Sequence, residues 1–316
     1  MILDLVFIFG GLFVLVSSAD FLVKGASSLA VKLKVSALVI GLTVVSFGTS
    51  TPELAVNLLA ASSSAHELSI ANIIGSNISN ILLVLGTSAI IIHLKVKNST
   101  VWHEIPIALL SISFLFFLIL DEQITRTEGF ELLFFLGVFF VYLFALIKKH
   151  RKSGILKEEA KTGTVHPTPL SLLYTIGGLI GLVVGSRLLV DGAVSFAEVL
   201  GLSQTFIGIT IIGIGTSVPE LATSLVAAKK GQNDLAIGNI VGSNIFNVLW
   251  IVGLTSVVNP LTVSHVVIVD LLVATFATLL LFLFMFLGKR HALTKRDGFI
   301  FVGLYISYLI FLLIRG

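Results

Sequence analysis

The sequence predicts an all-α membrane protein of about ten transmembrane helices, arranged as two inverted-topology five-helix repeats with the N-terminus outside. Three observations carry this. The 316 residues are 56% hydrophobic and 12% charged, whereas soluble domains carry about 25% charged residues, and mean hydropathy is +1.08. The apolar residues gather into runs of helical length, without the strict alternation of barrel strands. Shifting the chain by 167 residues lays one half over the other without a gap from Asp20 to Leu83.

A helix needs about 20 apolar residues to cross the hydrocarbon. Such runs lie at about 2–23, 37–62, 69–93, 102–120, 129–147, 170–199, 205–228, 235–258, 262–287 and 298–314. The start, MILDLVFIFGG, lacks a basic region before its apolar run and reads as a retained first helix rather than a cleaved signal. With no cysteine, disulfides and thiolate metal sites are excluded.

Orientation follows from the basic residues. One set of loops holds Lys24, Lys32, Lys34, Lys95, Lys97, Lys148, Lys149, Arg151, Lys152, Lys157, Lys161, Lys229, Lys230, Lys289, Arg290, Lys295 and Arg296, which is 17 of the 20 Lys and Arg. Cytoplasmic loops collect basic residues, so this side is inside. The net charge of +3 therefore reflects topology and calls for no nucleic-acid partner. The bilayer is the expected partner, no protein partner is evident, and the cell membrane of a prokaryote is the expected location.

Under the 167-residue shift, GLTVVSFGTSTPELAVNLLA (41–60) matches GITIIGIGTSVPELATSLVA (208–227) at 11 of 20 positions. ANIIGSNISNILL (71–83) matches GNIVGSNIFNVLW (238–250) at 8 of 13. The expected division is a first repeat at 1–147, a cytoplasmic linker at 148–169 and a second repeat at 170–316. Corresponding helices are separated by an odd number of spans, so the second half is inverted. That is an architecture of secondary transporters, with the site near the midplane.

The motifs GTSTPE (48–53) and GTSVPE (215–220) place a helix breaker and a carboxylate at membrane depth twice. Pro52 and Pro219 lack an amide hydrogen, so the carbonyls of Gly48 and Gly215 lose their helical donors. The nearby carbonyls of Ser46, Thr49, Gly213 and Thr216 are expected to face a cavity, since irregular backbone at this depth must line one or be buried in protein. Thr49 and Glu53 are four residues apart, as are Thr216 and Glu220, so each pair shares a helix face. Ser76 and Asn80, and Ser243 and Asn247, repeat that spacing. Asn77 and Asn244 lie one step off it and are expected to bond between helices.

All these groups are oxygen donors, which suit hard cations. Calcium takes six to eight oxygens, whereas soft metals prefer sulfur or imidazole. Glu53 and Glu220, each bidentate, with the Thr49 and Thr216 carbonyls would supply six donors and balance one calcium ion; divided differently, the same oxygens could hold two or three sodium ions. No cofactor is expected, only transported ions. An enzyme is disfavoured, because His66-Glu67 and His103-Glu104 lack the second His of a zinc-protease motif and no GxSxG occurs.

On the paired GTSxPE segments and the paired GSNxxN segments at Gly75–Asn80 and Gly242–Asn247, the sequence resembles the calcium/cation antiporters, of the prokaryotic sodium/calcium exchanger type. The resemblance implies antiport of sodium against calcium by alternating access, the ions competing for Glu53 and Glu220, with three sodium ions per calcium. It implies one sodium position at Glu53, Thr216, Ser217, Ser76 and the Gly213 carbonyl. The mirror position takes Glu220, Thr49, Ser50, Ser243 and the Ser46 carbonyl, and Asn80 and Asn247 line the middle. Some relatives, the potassium-dependent branch among them, carry Asp where this chain has Asn247, which argues for potassium independence. The first and sixth spans are expected to slide across the rest; Asp20, Arg187 and Asp191 are expected to form an ion pair that fixes them, with a place on the ion entry path as the alternative. Calcium/proton exchange on the same scaffold is the alternative, and a cation channel a more distant one, since channels show no inverted halves.

Overall fold

The computed structural model describes residues 2–62, 66–153, 165–201, 211, 213–287 and 289–315. These residues are helical almost throughout. In hydrocarbon the amides find no water, and a helix satisfies them within its own segment.

Eight helices among the described residues are long and apolar enough to span a membrane. We number the helices α1 (Ile2–Leu33), α2 (Ala37–Thr49), α3 (Thr51–Ala61), α4 (Ser69–Ile91), α5 (Asn98–Asp121), α6 (Arg126–Lys149), α7 (Thr168–Val199), α8 (Val218–Lys229), α9 (Asn233–Val258), α10 (His265–Phe284) and α11 (Lys295–Arg315). The pair α2/α3 makes a ninth, broken span, bent by 43° at Ser50. The expected span 205–228 falls partly on residues 202–210 and 212, which lie outside the described residues, as do 154–164 of the expected linker. Its described part is a turn of helix at Gly213–Gly215, then α8.

Helix α1 runs to Leu33, past the expected end at 23. The charges that end the apolar run do not end the helix, because Lys24 Nζ pairs with Asp20 one turn back at 2.6 Å. The helix closes at Lys34, which adopts the left-handed conformation with φ 54°. Helix α5 is interrupted at His103 (φ −128°, ψ −66°) and restarts at Glu104 with Pro106 in its first turn, where a missing amide hydrogen is tolerated.

Burial separates centre from rim. In α9, 94% of the most apolar stretch is buried, and in α4 78%, against 28% in α1, α6 and α7. The latter, with α11, turn large side chains such as Phe13, Phe134, Leu173 and Ile314 outward. Three π-helical stretches, Gly41–Val45, Ser79–Leu85 and Asn247–Val252, lie in α2, α4 and α9. Such widened turns occur often at functional sites.

The long helices α1 and α7 pack antiparallel through small residues. A Cβ on Gly11 would lie 2.5 Å from the Leu189 amide nitrogen, and one on Gly25 would lie 2.6 Å from that of Thr175. Gly178 likewise abuts Leu22, and Gly192 abuts Asp4 and Phe7. Positions rise along α1 as they fall along α7, and small residues let the backbones close in.

Two short antiparallel ladders tie loops of the halves together: β1 (Leu94–Lys95) with β4 (Ala292–Leu293), and β2 (Gln123–Ile124) with β3 (Leu261–Thr262). Each ladder sits beside a side-chain cap. The Thr125 amide donates to Glu128 Oε2 at 2.7 Å ahead of α6, and the Thr294 amide to Asp297 Oδ2 at 2.8 Å ahead of α11.

Gly11→Leu tests the α1/α7 contact. Forcing a side chain into backbone should cost about 1–3 kcal/mol, and the purified protein in detergent should melt several degrees lower. A melting curve equal to the parent's would show that the contact tolerates bulk.

Candidate functional site

The two PE motifs fold as their chemistry requires. Helix α2 stops at Thr49, Ser50 forms a turn, and α3 starts at Thr51, with Glu53 in its first turn. In the second half the short turn stops at Gly215, Thr216 and Ser217 break the helix, and α8 starts at Val218, with Glu220 in its first turn. Each carboxylate thus sits at the N-terminus of a half-helix, where the helix dipole favours negative charge.

The two breaks differ in their carbonyls. The Ser50 amide donates to the Ser46 carbonyl at 3.0 Å, so that carbonyl, expected to be free, is engaged. Proline removes only the donor four residues after Gly48, and the Ser46 bond survives two residues earlier; a carbonyl keeps a second lone pair for a ligand. The Ser217 amide has instead moved to the Ile214 carbonyl at 3.0 Å, away from Gly213.

Glu53 and Glu220 are both buried to 1% exposure and lie within electrostatic reach of each other. Ser50 Oγ and Ser243 Oγ each donate to Glu220 Oε1 at 3.4 Å. Between the halves, the Ser76 and Thr216 hydroxyls bond to each other at 3.2 Å. Ser46, Ser217, Asn80 and Asn247 are buried. Glu53 Oε2, Glu220 Oε2, Ser217 Oγ, Asn80 Oδ1 and Asn247 Oδ1 have no hydrogen-bond partner among the described residues. Buried polar atoms are nearly always paired, so a group of unpaired acceptors is a place for a cation.

Five residues not anticipated from the sequence belong to this network: Asn57, Ser69, Asn72, Ser224 and Asn239. Asn57 Nδ2 donates to the Glu53 carbonyl at 2.7 Å and to Asn72 Oδ1 at 3.0 Å, while its Oδ1 accepts from Ser69 Oγ at 2.6 Å. Asn239 Oδ1 accepts from Thr49 Oγ1 at 3.1 Å, and Asn239 Nδ2 donates to Ser224 Oγ at 3.0 Å. The signal was present: Asn72 and Asn239 match under the 167-residue shift and precede Ser76 and Ser243 by four residues. Each of α4 and α9 thus carries an Asn–Ser–Asn stripe on one face.

Asp20, Arg187 and Asp191 do not form the expected joint ion pair. Arg187 Nε lies 3.7 Å from Asp191 on the same helix, and both are exposed. Asp20 pairs instead with Lys230, just past α8, whose Nζ also reaches the Asp20 carbonyl at 3.4 Å. Four residues apart on one helical face, Arg187 and Asp191 can neutralise each other without crossing to α1.

A helical membrane protein with broken helices meeting at a buried, oxygen-lined centre defines a cation carrier. The chain belongs to the sodium/calcium exchanger family: the family model described as "Sodium/calcium exchanger protein" matches residues 3–148 and 170–314. It is 29% identical over 341 residues to the sodium/calcium exchanger MaX1 of Methanosarcina acetivorans, covering 96% of each chain. It is 37% identical over 257 residues to the inner membrane protein YrbG of Escherichia coli, covering 79% of this chain and 78% of that one. Its structure matches that of the sodium-calcium exchanger NCX_Mj soaked with zero Na+ and Ca2+, with TM-score 0.83 and 34% identity over 98% of both chains. The protein is therefore an integral membrane transporter of the cation/calcium exchange class.

Proposed function

We propose that this protein exchanges sodium for calcium by alternating access at a single site built on Glu53 and Glu220. The observation that carries the reading is the set of unpaired, buried oxygens: two carboxylates with serine and asparagine oxygens. Calcium would take both carboxylates with the Thr49 and Thr216 carbonyls. Sodium would divide between Glu53 with Thr216, Ser217, Ser76 and Gly213, and Glu220 with Thr49, Ser50, Ser243 and Ser46. Asn80 and Asn247 line the space between.

Competition follows from charge. The site holds −2 when both carboxylates ionise, which one calcium ion balances, so calcium and a full sodium load exclude each other. An empty charged site in hydrocarbon is costly, and an ion must be aboard before the carrier switches sides. Three sodium ions per calcium would move one positive charge inward per cycle, and each 100 mV would then contribute about 2.3 kcal/mol. Asn247 adds no third carboxylate, which favours potassium independence.

The moving part in this reading is the α1/α7 pair, sliding over a core built from two inverted halves, 1–147 and 170–316, in the plasma membrane with the N-terminus outside. The Asp20–Lys230 pair joins α1 to the core on the lysine-rich, cytoplasmic side. This contact supports a form closed to the cytoplasm and reached from outside.

Radioactive calcium uptake into sodium-loaded vesicles, diluted into sodium-free buffer, tests the exchange. We expect uptake that needs internal sodium, is indifferent to potassium, and falls to background in Glu53→Gln and Glu220→Gln. Uptake driven by a proton gradient alone would make this a calcium/proton exchanger, and uptake needing neither gradient would make it a channel.

Asp20→Asn should release the cytoplasmic closure. A half-exposed pair contributes up to about 1 kcal/mol, so the outward-facing fraction, and with it the apparent external calcium affinity, should fall up to about fivefold. An unchanged affinity would show that the pair holds nothing shut.

A further inference from the structure

Asn77, Asn80, Asn244 and Asn247 form a crossed set between α4 and α9. Asn80 Nδ2 donates to Asn244 Oδ1 at 3.0 Å, and Asn247 Nδ2 donates to Asn77 Oδ1 at 3.0 Å. Backbone fixes the far ends: Asn77 Nδ2 donates to the Asn244 carbonyl at 3.5 Å, and Asn244 Nδ2 to the Asn77 carbonyl at 3.4 Å. All four side chains are buried. Asn77 and Asn244 have both ends of their amides engaged, whereas Asn80 Oδ1 and Asn247 Oδ1 have no partner among the described residues.

The direction of every amide follows from one fact: a backbone carbonyl accepts and never donates. Asn244 must therefore turn its Nδ2 to the Asn77 carbonyl. Its Oδ1 then faces Asn80, which must answer with Nδ2, and the Asn80 oxygen is left pointing the other way. The same logic runs from the Asn244 carbonyl through Asn77 to Asn247. If either inner amide flipped, two oxygens would meet in a buried place and an N–H would replace an oxygen at the site.

We propose that Asn77 and Asn244 are positioning residues that keep the oxygens, and not the nitrogens, of Asn247 and Asn80 toward the transported cation. The inference rests on the reading of the site given above. An amide oxygen attracts a cation and an amide N–H repels it, so losing the order exchanges a ligand for a repulsive dipole. Asn77 thus acts on the ion only through Asn247, and Asn244 only through Asn80. The specificity of that pairing separates positioning from mere packing.

The test uses Asn77→Leu, close in volume and unable to bond, in the full chain. Calcium binding to the purified protein is followed by calorimetry, and sodium-dependent uptake by vesicle assay. We expect calcium affinity to fall about tenfold while the maximal uptake rate stays within about twofold of the parent. In an Asn247→Ala background the same change should add less than about twofold, whereas in an Asn80→Ala background it should cost the full factor again. Asn77→Ser, whose hydroxyl can accept from Asn247 and donate to the Asn244 carbonyl, should restore most of the affinity. Asn244→Leu, with the backgrounds exchanged, gives an independent mirror measurement should the first variant fail to elute as a single folded species. Parent-like affinity in both leucine variants would overturn the proposal. So would equal losses in the two alanine backgrounds. Either result would leave the exchange reading intact if uptake still requires sodium and Glu53. Absence of sodium-dependent uptake in the parent would remove that reading instead, with calcium binding still reporting on the asparagines.

Discussion

Two carboxylates buried within reach of each other set the terms for the rest of the structure. A carboxylate far from water is tolerated only if something offsets its lost hydration. Here each lies in the first turn of a half-helix, so the backbone dipole supplies part of the compensation. The proline that starts the half-helix also forces the break that puts the glutamate there. Two serine hydroxyls approach Glu220, while one oxygen of each carboxylate keeps no partner among the described residues. The arrangement is held short of full satisfaction, and in the proposed function a cation would complete it.

Around this centre the network nearly repeats itself, and the departures carry information. Asn57 ties α3 to α4 through two bonds, to Asn72 and Ser69, and a third returns to the Glu53 carbonyl of its own helix. The counterparts of Asn57 and Ser69 under the 167-residue shift are Ser224 and Ala236, and the bonds there run from Asn239 to Thr49 and Ser224 instead. One half-helix is thus fastened mainly to the neighbour within its own repeat. The other is held by one bond within its own repeat, Asn239 to Ser224, and by one across to Thr49 of the opposite repeat. These departures, with Lys230 on Asp20, make the two halves unequal.

Much of this was legible in the sequence. Hydropathy marked the spans, because a run of apolar residues long enough to cross has few other uses. The PE motifs marked the breaks, because proline acts on its own helix and needs no partner to be known. Four-residue spacing marked Ser76 with Asn80 and Ser243 with Asn247 for the same reason. What stayed hidden depends on partners from elsewhere. Lys230 takes Asp20 away from the expected pairing, and nothing near Asp20 in the chain announces it. Helix α1 outlasts its apolar run because Asp20 and Lys24 neutralise each other. Asn57 looks like any polar residue until Ser69 and Asn72 are brought to it. The Ser46 carbonyl is the remaining case: the rule for proline is local, but it frees one carbonyl and not its neighbour two residues earlier.

The two small ladders have a consequence for how such a chain comes into being. Leu94 pairs with Leu293 and Ile124 with Leu261, so each two-residue strand in the first half waits for one in the second. As the chain emerges from the ribosome and enters the bilayer helix by helix, the first half cannot finish folding. Its glutamate faces no opposite number, its α4 stripe has no α9 to bond, and its loop edges are unpaired. Only when α9 through α11 arrive does everything close at once. Assembly should therefore be a late, all-or-none event, and a ribosome stalled before β4 should leave behind a membrane-inserted but unfinished protein, fit for quality control rather than for half a function.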